Sequence, residues 1–527
     1  MAGSETTQLF SQYRNNTHKT WWKDPCLRWN VFHCVCLYWA VFYLGYDASL
    51  LNGLQALPQW TGYFNDPSSN DLGLISASLF LPAIVTPYFC SAVNAKWGRK
   101  IALATGSILL ICGAFVNAFA TNRGMFIAGR VLMGYAAGLD FITAIALLQE
   151  IAHPRLRAVL SCSFYSNYYV GSVVAAWFCY GSLSWGPTNW AWRAPCLFQI
   201  VAPTLLLLAL FSIPESPRWL IHHDQTERAL AILAKYHANG DQTDELVSYE
   251  YKEICHAIQL EEENSKTSFR DFLRTPGNRR RLLVLITMAT GTNWVGNGII
   301  TYYLTPVLNL AGITNPRDIS GINGGLAAWN LILAYIGSFS ADRFGRRTLW
   351  LVSTIGMLAT YIIFTGLSGG FASTQSKATG IAIVPMLFIY YGFYDFGWTP
   401  LPFSYGAEIL PYHMRLKGLS IMLSVQSVAQ AFNQWVNPIA LDNIQWKYYI
   451  VYIVLLCIYL TIVWFFFPET SKLTIEEVSV IFDTGRMGSA AAVAAEFSRD
   501  MHKGLDREDG DKKVDGEVKH VEDKASA

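Results

Sequence analysis

The chain has 527 residues, 52% of them hydrophobic and 14% aromatic; only 15% are charged, against about 25% in ordinary soluble proteins. A net charge of +1 leaves no electrostatic footprint for nucleic acid. Ten scattered cysteines have neither zinc-ligand nor disulfide-framework spacing, so neither a metal centre nor a stapled secreted fold follows, and small apolar core residues account for them.

Residues 1–30 are polar and lack the apolar core of a signal peptide, so the first apolar run is expected to direct membrane insertion. That run, Val31 to Leu51, is long enough for the ~20 residues a helix needs to cross a bilayer. One acid, Asp47, interrupts it. A charged Asp at the bilayer centre costs roughly 2.5–3.5 kcal/mol on insertion scales. Asp47 therefore needs a cation, a water-filled cavity or a proton.

Runs of spanning length recur near 31–53, 73–93, 101–121, 125–147, 159–183 and 196–214. After a polar stretch they resume near 283–306, 321–340, 349–369, 379–403, 418–440 and 448–467. Twelve spans, six and six, are expected. Lys and Arg concentrate in alternate loops: Lys96 to Lys100, Arg155 with Arg157, 216–281, Arg343 to Arg347, and Arg415 with Lys417. The positive-inside rule then puts both termini in the cytoplasm.

The two sets of six are copies. Trp97-Gly98-Arg99-Lys100 returns as Phe344-Gly345-Arg346-Arg347. EIAHPRLR (150–157) returns as EILPYHMR (408–415), and Pro214-Glu215-Ser216 as Pro468-Glu469-Thr470. A duplicated six-helix half is a transporter architecture, with the site between the halves near the midplane. The domain plan is a cytoplasmic segment 1–30, a first half 31–215, a linker 216–281, a second half 282–482 and a tail 483–527. The linker has helical apolar spacing at 226–236, so short amphipathic helices are expected there. The tail is dense in Asp, Glu and Lys, and disorder is expected.

These motifs carry a resemblance. Gly45-Tyr46-Asp47, Gly98-Arg99-Lys100, Gly129-Arg130, Glu150 with Arg157, PESPRWL (214–220), DRFGRR (342–347), Gly397-Trp398 with Pro400 and Pro402, Glu408 with Arg415, and PET (468–470) resemble the sugar-porter branch of the major facilitator superfamily. The stretches 296–304, 397–401 and 432–452 are similar to fungal lactose-permease-like members. Ala95 stands where the first family loop carries an acid, while the second copy keeps Asp342. The resemblance implies the major facilitator fold: an all-α membrane protein of twelve transmembrane helices in two pseudo-symmetric six-helix halves.

It also implies roles. Arg130 is expected to face Asp47, and the pair to couple protons. Arg99, Glu150, Arg157, Glu215 and Arg218, with Asp342, Arg346, Glu408, Arg415 and Glu469, are expected to form a cytoplasmic gate. Asn330 and Gln426 fall at sugar-ligand spacings from Asp342 and Arg415. Asn293, Asn297, Tyr302, Gln430 and Asn433 are further polar candidates inside apolar spans, with Trp398 and Phe403 as aromatic faces. Amides donate and accept, which suits neutral hydroxyls, and aromatic faces suit the C–H surface of a sugar ring. Tyr165, Asn167 and Ser172 in the fifth run are weaker candidates.

The leading expectation is a proton-coupled importer of a sugar, such as the disaccharides lactose or cellobiose. A transporter-like sensor, signalling to a cytoplasmic partner through the tail, is a second reading. A carrier for a non-sugar metabolite such as quinate is a third. Expected partners are a small sugar, protons and the plasma-membrane bilayer. No hydrolase triad, nucleotide loop or metal cluster is recognisable, so no enzyme and no cofactor is expected. His33, His222 and His413 are expected at helix ends or in loops.

Overall fold

The computed structural model describes residues 15–18, 20–264, 268–470, 478 and 481–483, without the side chains of 158, 162, 260–264, 338–344, 403, 412–413 and 416. The expected tail disorder lies outside these residues. So do the side chains of Asp342, Phe403 and His413.

Every regular element among the described residues is a helix. Nine stretches are long and apolar enough to cross a membrane, and a tenth is the pair Ser69–Ile84 and Thr86–Trp97, bent by 44°. One of the nine, Lys417–Phe466, is 50 residues long. A turn at Gln445–Lys447 divides it into the helices Tyr412–Ile444 and Tyr448–Phe466. Pro154–Ser182 has the length, 29 residues, and is diluted by Ser161, Ser163, Ser166, Asn167 and Ser172. With these the helices match the expected six and six.

In chain order the first half contains span 1 (Pro25–Gln55), the bent span 2, span 3 (Arg99–Ala118), span 4 (Arg123–Ile151), span 5 (Pro154–Ser182) and span 6 (Trp190–Leu210). The second contains span 7 (Pro276–Leu310), span 8 (Pro316–Phe344), span 9 (Arg346–Thr374), span 10 (Lys377–Gly397), span 11 (Tyr412–Ile444) and span 12 (Tyr448–Phe466). Most sequence bounds fall several residues short because polar caps and amphipathic ends extend the helices, while 101–121, 196–214 and 379–403 run past the observed ends at Ala118, Leu210 and Gly397. Asp24, ahead of the first apolar residues, accepts from the Cys26 and Leu27 amides and starts span 1 at Pro25. His33 is consequently buried inside a helix, not at a helix end.

Small residues let spans 1 and 5 touch backbone to backbone. A Cβ on Gly45 would sit 1.7 Å from the Tyr168 carbonyl oxygen, and one on Gly171 would sit 2.0 Å from that of Phe42. Such close packing is how membrane helices gain contact without a hydrophobic drive between them. It holds Asp47, two residues beyond Gly45, inside the bundle.

The linker forms the amphipathic helices Thr226–His237 and Glu245–Asn264. It docks on the end of span 4: His237 Nε2 is 3.0 Å from the Ile151 carbonyl, and its Nδ1 is 2.6 Å from Glu250. Below, "linker side" means this face and "far side" the opposite one.

Candidate functional site

Between the halves lies a cavity of about 280 Å³, at the small end of ligand sites. Spans 1, 2, 4 and 5 line it from one half, and spans 7, 8, 10 and 11 from the other. Among the described residues, none that lines it is charged. Eight amide side chains and six tyrosines supply its polarity. Several buried polar atoms facing this space have no partner: Ser49 Oγ, Asn297 Oδ1, Asn323 Nδ2, Asn330 Oδ1 and Gln434 Oε1. Buried polar groups are normally satisfied, so a set of orphans around one cavity marks groups kept for a ligand or water.

The sequence candidates divide. Asn293, Asn297, Tyr302, Asn330, Trp398, Gln426, Gln430, Tyr165 and Ser172 line the cavity. Asn297 Nδ2 donates to Tyr394 Oη at 2.9 Å, leaving its oxygen free, and Gln430 Nε2 donates to Tyr302 Oη at 3.1 Å. Trp398 is pinned by a hydrogen bond from Nε1 to Thr354 Oγ1. Asn433 is absent from the lining; its amide donates to the Asn293 carbonyl and accepts from Tyr452, tying spans 7, 11 and 12 together. Asn167 donates to the Tyr38 carbonyl and likewise joins helices.

Asp47 and Arg130 meet. Arg130 Nη2 is 3.4 Å from Asp47 Oδ2, and both side chains are at most 1% exposed. Gln199, from the break in span 6, donates to Asp47 Oδ1 at 2.6 Å. The pair lies behind the cavity wall rather than in it, but Ala48, next to Asp47, and Gly134, one turn beyond Arg130, are wall residues. Two charges in so dry a place depend on each other, and removing either costs about 3–5 kcal/mol.

Span 7 is broken where the halves meet. Gly296, at φ 105°, separates Pro276–Trp294 from Asn297–Leu310. Tyr303 then leaves helical geometry, and Pro306 has no amide hydrogen for the Tyr302 carbonyl. Span 1 satisfies the freed backbone from the other half. Asn52 Oδ1 accepts from the Leu304 amide at 3.0 Å, and its Nδ2 donates to the Thr301 carbonyl at 3.0 Å and the Ile300 carbonyl at 3.4 Å. Gln55 Nε2 donates to the orphaned Tyr302 carbonyl at 2.9 Å. In a membrane, broken backbone persists only where neighbours satisfy it. These bonds fasten the far side of the cavity.

On the linker side the repeated charges make matching structures. Glu215 accepts from the amides of Arg99 and Lys100 at 3.0 and 3.2 Å, and Arg99 pairs with Glu150 at 2.8 Å. In the second half Glu469 accepts from the amides of Arg346 and Arg347 at 2.8 and 3.0 Å, and Arg346 pairs with Glu408 at 3.3 Å. Each Glu thus caps a helix N-terminus, where negative charge is favoured. Gly98 (φ 85°) and Gly345 (φ 80°) make room; a Cβ on either would lie 2.8 Å from the capping carboxylate. These pairs each lie within one half. Arg157 reaches Glu250 of the linker at 3.5 Å. Arg218 sits in the short helix Pro217–His222, and Arg415 near the start of span 11.

Gln199, Asn52, Gln55, Tyr169 and two acids, Asp140 and Asp395, are not among the residues expected from the sequence. Asp395 in span 10 is fully buried and accepts from Tyr169 Oη of span 5 at 2.6 Å, a bond across the halves. The rule that singles out Asp47, an acid in an apolar run, applies equally to Asp140 and Asp395. The amides carry no such signal, because helix glue and gate share the same residue types.

Two pseudo-repeated helical halves around an amide-lined cavity, with no charge among its described lining residues, define a multi-pass membrane transporter. The sugar (and other) transporter family model matches residues 33–482. The chain belongs to that family, within the major facilitator superfamily. It is 30% identical over 463 residues to the high-affinity glucose transporter of Kluyveromyces lactis, covering 82% of this chain and 81% of that one. It is 28% identical over 445 residues to the MFS-type transporter criB of Aspergillus cristatus, covering 84% and 91%. Its fold is similar to the partially occluded inward-open xylose transporter XylE from E. coli, with TM-score 0.71 and 20% identity over 85% of this chain and 100% of that one.

Proposed function

We propose that the chain imports a neutral sugar together with a proton by alternating access, with a disaccharide such as lactose or cellobiose as the leading substrate. The observation that carries the sugar reading is the cavity wall: amides, phenols and an indole, several with unspent hydrogen-bonding atoms, and no charge among the described residues. Hydroxyls need groups that both donate and accept. A carboxylate substrate such as quinate calls for a cation, and the wall offers none among the described residues. The stretches 296–304, 397–401 and 432–452, similar to fungal lactose-permease-like members, support the disaccharide.

Coupling rests on the continuous helix Trp39–Gln55, which carries Asp47, the wall residues and the two gate amides. Asn52 lies five residues beyond Asp47, roughly 7.5 Å along the helix at 1.5 Å per residue. A proton on Asp47 removes its attraction for Arg130 and loosens span 1 from span 4. The same helix then moves Asn52 and Gln55 relative to span 7. Placed by the basic loops, the far side is extracellular, the linker side cytoplasmic, and the membrane the plasma membrane.

The test is uptake of labelled lactose, cellobiose, glucose and xylose into a host lacking sugar transporters, at acid and neutral external pH. The proposal expects one of the disaccharides to accumulate, more strongly at acid pH. Uptake of none of the four, or accumulation indifferent to pH and to a protonophore, contradicts it.

A further inference from the structure

Asp140 of span 4 is a second buried acid in the first half, and neither the cavity nor the pair Asp47–Arg130 uses it. It is 1% exposed. Its hydrogen-bond partner is neutral: Ser107 Oγ of span 3 donates to Oδ2 at 3.0 Å, while Oδ1 has no partner. The carboxyl presses on Gly106, where a Cβ would lie 2.0 Å from Oδ1. A buried carboxylate without a cation is costly, and an intramembrane acid so placed is by default a functional group.

Its surroundings form a row. Toward the far side is Tyr43, one turn before Asp47 on span 1. The Tyr43 hydroxyl is buried without a partner and lies within electrostatic reach of Asp47, Arg130 and Asp140 together. Toward the linker side is Cys90 of span 2, within reach of both Asp140 and Arg99. Cys90 and Asn94 bond to Thr143 of span 4 at 3.4 and 3.1 Å, and the Asn94 carbonyl accepts from Arg99 at 3.3 Å. Arg99 pairs with Glu150 at the linker face. The ionisable groups facing Asp140 are thus Tyr43 from span 1, with Asp47 and Arg130 behind it, and Cys90 from span 2; span 3 offers Ser107 and Gly106.

We propose that Asp140 is a second proton-binding carboxyl, in series with Asp47 through the Tyr43 phenol, on a route inside the first half separate from the sugar cavity. In the transfer, protonated Asp47 gives its proton to the Tyr43 oxygen as the original Tyr43 proton passes to the Asp140 carboxylate. One O–H bond breaks and one forms at Tyr43. The net result is ionised Asp47 paired with Arg130, and neutral Asp140. Release from Asp140 is toward the linker face, the side on which Cys90, Asn94 and Thr143 bond to one another. In this conformation no hydrogen bond joins Tyr43 to either acid, so a side-chain rotation or a water closes the gap. The proposal rests on the coupling reading above for its transport arm only.

Two measurements on the full-length protein in membranes test it. Infrared difference spectra across a pH titration should show a protonated-carboxyl band that disappears in Asp140→Asn and persists in Asp47→Asn; this arm needs no sugar. In cells, Asp140→Asn and Tyr43→Phe should each lower the steady-state accumulation of labelled lactose at least fivefold while exchange of internal for external lactose stays within twofold. Labelled glucose replaces lactose if only glucose is carried. An unchanged band in Asp140→Asn overturns the proposal, as does wild-type accumulation in either variant. If the wild type accumulates no sugar, the coupling reading fails instead, and the band alone decides Asp140.

Discussion

Replacing Asn52 by Ala isolates the far-side fastening. In the closed conformation the variant leaves the Leu304 amide and the Thr301 carbonyl, both now bonded at 3.0 Å, without their partner. Asn52 is only 4% exposed, so water does not replace it while the gate is shut. Each buried group left unsatisfied costs about 1–3 kcal/mol. In the open state water hydrates both groups in wild type and variant alike, so the penalty falls on the closed state. Two groups at the low end give about 2 kcal/mol, a roughly thirty-fold gain in the open-to-closed ratio at 1.4 kcal/mol per tenfold. The assay is labelling of Ser172→Cys, in the cavity wall, by a membrane-impermeant maleimide from the far side. The same protein without that cysteine serves as blank. Labelling should accelerate at least tenfold in Asn52→Ala and less in Gln55→Ala, which loses one bond at 2.9 Å. Labelling at the wild-type rate in Asn52→Ala would mean that span 7 straightens and re-forms its own bond, and the gate assignment would fall.

Asn330→Ala and Gln426→Ala should each weaken apparent sugar affinity roughly tenfold, from about 1–3 kcal/mol per lost buried partner, with maximal uptake nearly unchanged; unchanged affinity in both makes them helix glue. Gly98→Ala and Gly345→Ala force a side chain into a backbone region reserved for glycine and against a capping carboxylate, so each should cost at least about 1–3 kcal/mol in unfolding of the purified protein. An equal melting temperature in either would show that the cap yields freely. His153, between spans 4 and 5 and outside both, is held well below the ordinary histidine range by burial. The fold therefore favours its neutral form, and its contribution is complete above about pH 6.5 and lost as pH falls from there toward the depressed value. The melting temperature should drop further between pH 7.5 and 5.5 in wild type than in His153→Gln, and parallel curves would refute this.

The helical plan was readable because bilayer length and duplicated motifs repeat over tens of residues, so errors at single positions do not matter. Asp47 was readable because an acid in an apolar run is conspicuous. Its neighbour Gln199 was not: Pro203, four residues on, marks a break in span 6, but not that the break turns the Gln199 amide onto Asp47. Asn433 and Asn297 look alike in sequence, since both are amides in apolar helices; only packing decides that one bonds across helices while the other keeps its oxygen free in the cavity. Asn52 was missed for a related reason: its partners are backbone groups released at the kink near Tyr303 and Pro306, and nothing in span 7 says which side chain of the opposite half will bond them.

Asp47 is the acid on which the proposed coupling turns. The most direct measurement records sugar entry and external alkalinisation together in sealed cells expressing wild type or Asp47→Asn. The account predicts that wild-type sugar entry is accompanied by proton uptake, and that Asp47→Asn exchanges sugar without proton movement or accumulation. Sugar accumulation and proton uptake at wild-type levels in Asp47→Asn would contradict it.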